Sequence, residues 1–155
     1  MDALTASVEI ALPRKQAFEC FVREITLWWP KEYTWSKNKL VELSIDLIPN
    51  GLCSEIGPNG FRCDWGTVTA VDYGHGFSLK WQISANRNPE PDTAKASEVQ
   101  ILFKDAEYSN TNVMLTHHQF KNHGEESDNY QKAMASKQGW PYILSSFANY
   151  VRDRQ

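Results

Sequence analysis

The stretch that most constrains this chain is its last one, residues 139–155. Its large apolar side chains recur at the three- and four-residue spacing that brings them to one face of a helix: Trp140, Ile143, Leu144, Phe147 and Val151. Polar residues, among them Asn149 and Arg152, occupy the opposite side, so the predicted helix lies on a surface and is not buried all round. The preceding sequence must therefore provide an apolar surface that covers one face of this helix.

The beginning of this helical segment is predicted to be irregular. Asp128 is a candidate N-cap for an earlier helical start. Pro141 has no backbone N–H and crowds the carbonyl of Lys137, so we expect a kink there. Gly139 either lets the backbone near Trp140 approach the sheet closely or only marks a joint, and both interpretations stay open.

Most of the remaining sequence reads as strands, because apolar and polar residues alternate with a period of two. Clusters of proline, asparagine and glycine, such as residues 49–51 and 57–60, separate these runs and predict turns. Seven strands result, at about residues 5–12, 40–48, 52–56, 65–71, 77–84, 98–104 and 113–117. The segment 86–95, which contains Pro89, Glu90, Pro91 and Asp92, reads as an exposed loop.

Two short helices are predicted between the first two strands. Pro13 ends the first strand and is well placed to open a helix that carries Phe18 and Phe21 on one face. The aromatic cluster at residues 28–30 forms a second short helix or turn, which plugs one end of the core, forms a ligand wall, or does both. Because no βαβ pattern occurs, we predict an α+β fold with one antiparallel meander, in a single domain over residues 1–155.

Composition excludes several classes of function. The formal net charge of −3 gives no broad basic field, so we expect no binding to nucleic acid. No apolar run approaches the roughly 18 residues that span a bilayer, so we expect no membrane insertion. Cys20, Cys53 and Cys63 are odd in number, lack a C-x-x-C spacing and follow no signal-like segment, which favours reduced thiols in the cytoplasm. A monomer and a homodimer are both compatible with the sequence.

Several short motifs carry a resemblance to a known family: residues 13–21, Trp28-Trp29-Pro30, Gly66-Thr67-Val68, Leu79-Lys80-Trp81, Leu115-Thr116-His117, and Gly139-Trp140 followed by Leu144 and Tyr150. With the order of the predicted elements, they resemble the helix-grip fold of the START and birch-pollen-allergen superfamily. Within it, the chain is similar to the family related to the C-terminal domain of the heat-shock-protein-90 ATPase activators. The resemblance covers nearly the whole chain.

This resemblance implies a seven-stranded curved antiparallel sheet wrapped around the long C-terminal helix, with an elongated, mainly apolar cavity between them. The superfamily includes lipid and hormone carriers, polyketide cyclases and chaperone regulators, so the fold alone leaves function open. The eukaryotic activators carry an additional N-terminal domain that engages the chaperone, whereas this sequence begins at the predicted first strand. We therefore expect small-molecule binding rather than chaperone activation.

Inward-facing residues of the strands and the terminal helix are the candidates for lining this cavity. They are Trp65, Leu79, Trp81, Val99, Ile101, Phe103, Val113, Leu115, His117, Trp140, Leu144 and Phe147. Each apolar member could equally be core filler. His117 shares a face with Val113 and Leu115, so it either donates a hydrogen bond or a proton to a ligand, or bonds a backbone carbonyl and does nothing more.

No catalytic residue, cofactor site or metal site is predicted. Adjacent strand residues such as His117 and His118 point to opposite faces, and no carboxylate or thiolate lies at a useful spacing from them or from His123. Motifs such as G-x-S-x-G and G-x-x-x-x-G-K-[ST] do not occur. We predict a protein that binds an apolar or amphipathic small molecule, a lipid or an aromatic compound, without changing it. Two alternatives stay open: a cyclase- or hydrolase-type enzyme that uses the same cavity, and a module that binds a chaperone through its outer surface.

Overall fold

The chain folds around one curved antiparallel sheet. The computed structural model describes residues 3–154, within which there are seven strands. They are β1 (Ala3–Ile10), β2 (Glu42–Ile45), β3 (Leu52–Ile56), β4 (Arg62–Asp72), β5 (Gly76–Trp81), β6 (Ser97–Asp105) and β7 (Thr111–His118). The sheet order is β1-β7-β6-β5-β4-β3-β2, so successive strands from β2 to β7 are neighbours and β1 pairs with β7. The predicted α+β class with a seven-stranded antiparallel meander is confirmed.

Within the same residues, the α-helices are α1 (Arg14–Arg23), α2 (Ile25–Trp28), α3 (Ser127–Ala135) and α4 (Trp140–Asp153). α1 starts directly after Pro13, whose missing N–H costs nothing in a first turn, and α1 and α2 confirm the two short helices expected after β1. α4 packs against β1, and all five residues of its predicted apolar face are buried. No helix in the part of the chain that the structure describes is long and apolar enough to cross a membrane.

Phenylalanine rings fill the space between the sheet and α4. The ring centroid of Phe21 in α1 lies 5.6 Å from that of Phe103 in β6 and 5.2 Å from that of Phe147 in α4. Phe18 lies 5.2 Å from Phe103 in the edge-on arrangement that aromatic pairs favour. None of the four rings is more than 2% exposed. The middle of the expected cavity is therefore solid core.

Two strands at the edges of the sheet differ from the predicted boundaries. β1 ends at Ile10, before the predicted residue 12, because β7, with which it pairs, begins at Thr111 directly opposite. β2 covers only residues 42–45 of the predicted range 40–48, since the chain then turns and leaves its partner β3. In both cases the strand ends where its partner strand ends. The periodic pattern within one strand does not show where its partner ends.

β5 also ends earlier than its alternating pattern predicts, at Trp81 rather than residue 84. Beyond the strand, Ile83 forms an isolated antiparallel bridge with Pro89. The chain therefore turns back on itself here, and the loop predicted at residues 86–95 begins closer to the strand than expected.

The predicted kink before α4 is instead a break between two helices. α3 ends at Ala135, and Gly139 closes the following turn by donating its N–H to the Ser136 carbonyl at 2.9 Å. A side chain on Gly139 would meet the carbonyl oxygen of Met134 at 2.1 Å, so the close backbone approach is to α3 and not to the sheet. Asp128 lies in the first turn of α3 and is not its N-cap, a position that Glu126 occupies.

Replacing Phe147 with alanine should lower the free energy of unfolding by roughly 3–5 kcal/mol, because the change leaves a cavity among the phenylalanine rings. Asn149→Ala, on the exposed side of α4, is the matched control and should cost less than about 0.5 kcal/mol. Denaturant unfolding followed by circular dichroism measures both. A cost below about 1 kcal/mol for Phe147→Ala would contradict the packing described here.

Candidate functional site

A hollow of about 320 Å³ opens at the end of the molecule where α4 begins. Its walls come from β2, β3, β4 and β5, from the segments that follow α2 and β5, and from α3 with the start of α4. Six aromatic side chains contribute to its lining: Trp29, Tyr33, Trp35, Trp65, Trp81 and Tyr130. Ligand sites in proteins typically measure roughly 300 to 1,000 Å³, so this one suits a small ligand.

Three of these indoles pack against one another in the wall. Trp65 is stacked on Trp29 with 6.2 Å between ring centroids, and it lies edge-on to Trp81 at 5.9 Å. Trp28, next to Trp29 in the chain, is buried in the core. The aromatic cluster after α1 thus plugs the core with one indole and lines the hollow with the next.

Two consecutive hydrogen bonds hold the side chain of Trp81 in place. Its indole N–H donates to the Tyr130 hydroxyl at 2.7 Å, and that hydroxyl donates to the Ile83 carbonyl at 2.7 Å. Burial raises the pKa of Tyr130 to about 12, so the phenol stays protonated at neutral pH and keeps both bonds. Trp65 differs, because its buried Nε1–H has no hydrogen-bond partner among the residues that the structure describes.

The mouth of the hollow is bordered by polar groups from three segments. Arg87, in the loop after β5, donates to the carbonyl of Tyr33 at 2.8 Å and lies 5.6 Å from the centroid of that ring. The indole N–H of Trp35 donates to the Arg87 carbonyl at 2.9 Å. The Tyr33 hydroxyl donates to the carbonyl of Gln138, between α3 and α4, at 2.7 Å. These bonds join the segments around the opening.

One carboxylate is buried in the wall of the hollow. Glu55 on β3 is 1% exposed. Its Oε2 accepts the N–H and the hydroxyl of Ser36, each at 2.7 Å, and its Oε1 accepts the N–H of Trp35 at 3.2 Å. Within residues 3–154, no lysine or arginine forms an ion pair with it. Glu55 is not among the residues predicted from sequence, although its alternation with the buried Cys53 places it on an inward face of β3.

Of the twelve residues predicted to line a cavity, Trp65 and Trp81 lie on the walls of this hollow. The other ten are buried but do not line it: Leu79, Val99, Ile101, Phe103, Val113, Leu115, His117, Trp140, Leu144 and Phe147. They pack in the core because rings from α1 occupy the space between the sheet and α4. A part in ligand binding therefore stays a prediction for Trp65 and Trp81.

His117 is held as a neutral imidazole in the core. The indole N–H of Trp140 donates to its Nδ1 at 2.9 Å, and because an indole can only donate, Nδ1 carries no proton. The proton is therefore on Nε2, which donates to the Ser97 hydroxyl at 2.7 Å. The same hydroxyl is also hydrogen-bonded with Nε2 of His123, at 2.7 Å. Neither nitrogen of His117 is available to a ligand, so the geometry does not provide the expected ligand-facing donor or acid.

The surroundings of His117 favour the neutral form that the hydrogen bond from Trp140 requires. Burial holds the pKa of His117 well below its ordinary value, and the nearby His123 and His118 act in the same direction. Burial also lowers the pKa of His123, with Glu90 opposing the effect. The network therefore supports Trp140, at the start of α4, as a fixed part of the fold.

The cysteines do not form a nucleophilic site. Cys20, Cys53 and Cys63 are all free and buried. Burial raises the pKa of Cys53 to about 12 and those of Cys20 and Cys63 to about 11, so all three stay protonated and unreactive at neutral pH. Over the ranges that the structure covers, 3–154, no three histidine, cysteine, aspartate or glutamate side chains are placed to hold a metal ion.

Comparison with family models gives one match, to "Activator of Hsp90 ATPase homolog 1-like protein", over residues 11–152. Comparison with curated proteins gives no match. Among solved structures, the chain is similar to an anthrahydroquino-gamma-pyrone synthase, Txn09, solved in complex with SUM, with 26% identity, 96% of each chain covered and a TM-score of 0.68.

Two further solved structures share the fold at lower identity. CalC, a self-sacrificing resistance protein from Micromonospora echinospora, is 22% identical, with 99% of this chain and 96% of CalC covered and a TM-score of 0.67. Protein NE0264 from Nitrosomonas europaea is 14% identical, with the same coverage and a TM-score of 0.67. These similarities extend over the whole helix-grip architecture.

The stability of the fold should decrease when the pH is lowered through the histidine range. His117 stays neutral in the folded chain, whereas in the unfolded chain it binds a proton near its ordinary pKa of 6.5. Its contribution is therefore complete above about pH 6.5 and is lost below it, at up to about 1.4 kcal/mol per pH unit. Denaturant titrations between about pH 7.5 and 5.5 measure this dependence.

Two glutamine variants separate this effect from general acid destabilisation. His117→Gln cannot titrate and should show a smaller pH dependence, of which the part from His123, whose pKa burial also lowers, remains; His75→Gln, at an exposed position, should keep the full dependence. Equal slopes in His117→Gln and the unaltered chain would show that His117 is not the group responsible.

Proposed function

The chain belongs to the family of activator of Hsp90 ATPase homolog 1-like proteins, and from that premise we propose that it binds a flat aromatic small molecule in the hollow at the start of α4. The observation that supports this most strongly is the lining, in which four indoles and two phenol rings surround one space of about 320 Å³. Aromatic walls of this kind provide large contact areas with little loss of side-chain freedom.

Burial of apolar surface supplies the binding energy in this proposal. Removing about 300 Å² of ligand surface from water contributes roughly 7.5 kcal/mol at about 25 cal/mol per Å², before the cost of ordering the ligand. The hydrogen bonds from Trp81 to Tyr130 and from Tyr130 to Ile83 hold one wall in place before the ligand arrives. Less side-chain freedom is therefore lost on binding. Micromolar affinity, which corresponds to about 8 kcal/mol, is therefore within reach when hydrogen bonds add to the burial.

An aromatic ligand fits the space better than a long-chain lipid. The phenylalanine rings of α1, β6 and α4 occupy the region between the sheet and the terminal helix, where an extended acyl chain would have to lie. The free space is instead short and ends at a mouth bordered by Arg87, Tyr33 and Gln138. We propose binding without chemical change of the ligand. Turnover in the same hollow is the second proposal, favoured by the similarity to a protein named as a synthase.

A large side chain placed in the hollow should weaken binding. Ala133→Trp places a large ring on the α3 side of the lining and should weaken the affinity for 2-methoxynaphthalene at least about tenfold, because ligand and indole compete for one space. Ala135→Trp is the matched control, since it makes the same change on the exposed surface of α3 outside the lining. Isothermal titration calorimetry gives both affinities, and palmitate serves as the lipid comparison. Tighter binding of palmitate, or equal affinities in both variants, would refute the proposal.

The family description also points to a chaperone as a possible partner, and this partner is tested separately. Under our proposal, saturating protein leaves the rate of ATP hydrolysis by an Hsp90 homologue unchanged, since the hollow and not the outer surface is the functional site. The assay measures phosphate release with and without the protein. Stimulation that persists in Ala133→Trp would assign the function to the outer surface instead.

A further inference from the structure

Arg87, at the mouth of the hollow, differs from the other arginines in having no acidic partner. The chain has six arginines, all within the described residues 3–154. Five of them form ion pairs with a carboxylate: Arg14, Arg23, Arg62, Arg152 and Arg154. No ion pair within the described part of the chain includes Arg87. Its charge is therefore free to pair with a group from outside the chain.

The backbone of Arg87 is a second feature that singles out this residue. It has a φ of 68°, a left-handed conformation that residues other than glycine rarely adopt. The N–H of Arg87 donates to the Ser84 carbonyl at 2.9 Å, and its carbonyl accepts the indole N–H of Trp35 at 2.9 Å. Strain of this kind persists only where the surrounding structure imposes it, and it is concentrated at functional sites. The loop therefore holds Arg87 at the mouth in spite of an unfavourable backbone.

The side chain of Arg87 is oriented by Tyr33 and keeps donors for a ligand. Its Nη2 donates to the Tyr33 carbonyl at 2.8 Å, and its guanidinium carbon lies 5.6 Å from the centroid of the Tyr33 ring. Both residues line the hollow. A guanidinium is a planar fork of several N–H groups, and the bond to Tyr33 uses one of them. A carboxylate matches such a fork with two parallel hydrogen bonds.

The two charged residues of the lining act in opposite directions on an anionic ligand. Burial raises the pKa of Tyr130 to about 12, and the hydrogen bond from Trp81 and the positive charge of Arg87 oppose that rise. The guanidinium is therefore near enough to act on a phenol in the wall. Glu55, by contrast, is a buried carboxylate in the wall and repels an anion placed beside it. An anionic group is thus favoured at the mouth and disfavoured beside Glu55.

Resting on the proposed function, we infer that the ligand is an aromatic acid: its ring lies among the indoles of the hollow, and its carboxylate pairs with the guanidinium of Arg87 at the mouth. This orientation leaves the carboxylate in contact with solvent, so it does not have to lose all of its hydration on binding. It also keeps the negative charge away from Glu55. The apolar ring supplies most of the affinity, and Arg87 supplies the preference for an acid.

The test compares three ligands of nearly identical shape by isothermal titration calorimetry at neutral pH. They are 2-naphthoate, 2-naphthamide and 2-naphthamidinium, whose planar substituents carry a negative charge, no charge and a positive charge. 2-Naphthoate should bind about threefold to tenfold more tightly than 2-naphthamide, because a two-bond pair with an arginine is favourable even where solvent screens it. The amidinium should bind most weakly. Tightest binding of the amidinium would overturn the inference and assign the site to cations.

Three arginine variants assign the preference to its residue. Arg87→Gln removes the cation and should bring the ratio of the 2-naphthoate and 2-naphthamide affinities close to one. Arg87→Lys keeps the charge but not the planar fork, so it should retain part of the preference. Arg152→Gln is the matched control, because it makes the same change of net charge at an exposed position of α4 outside the lining, and it should keep the full preference. Near-UV circular dichroism and thermal unfolding verify that each variant is folded.

The outcomes distinguish this inference from the proposed function. If 2-naphthoate and 2-naphthamide bind equally well to the unaltered chain, the hollow is an aromatic site and the inference of an acid is wrong. If none of the three compounds binds, both the proposed function and the inference are wrong. If the preference for 2-naphthoate persists unchanged in Arg87→Gln, the anion pairs elsewhere and the assignment to Arg87 fails.

Discussion

The apolar face of α4 has to be covered, and the way in which it is covered determines where this chain can hold a ligand. α1 supplies Phe21, which lies between Phe103 of the sheet and Phe147 of α4. Burial of these closely packed rings stabilises the fold. The same rings occupy the region in which a helix-grip fold can contain a long channel. Free space lined by aromatic side chains is left where α4 begins and the chain turns between α3 and α4.

The polar groups of the molecule differ in how completely the fold satisfies them. In the core, Trp140, His117 and Ser97 form a continuous hydrogen-bonded series, in which each proton position follows from the one before. Such a satisfied network fixes one arrangement of side chains and leaves no group to react. Elsewhere, the buried indole N–H of Trp65 has no partner among the described residues, and Oε1 of Glu55 accepts one bond of 3.2 Å.

The two charged side chains that line the hollow differ in their exposure to solvent. Glu55 lies inside, where water is excluded and its charge acts strongly, whereas Arg87 stands at the exposed mouth, where solvent screens it. In the binding that we propose, a ligand would pass Arg87 at the mouth before it reaches Glu55 inside. The family and the similar solved structures share the scaffold, and the chemistry of a particular ligand depends on such side chains rather than on the scaffold itself.

Local periodicity was sufficient to predict the seven strands, the short helices after β1 and the buried face of α4, because each depends on neighbours within a few residues of sequence. It could not place the hollow. Whether an inward-facing residue such as Phe103 fills the core or lines a cavity depends on which rings arrive from α1, and this is decided by packing across the sheet. Trp29, Trp35 and Glu55 likewise meet only after distant segments come together. The sequence alone therefore determined the architecture and its apolar faces, while the tertiary structure decided which side chains surround free space, because that depends on how volumes fill a shared interior.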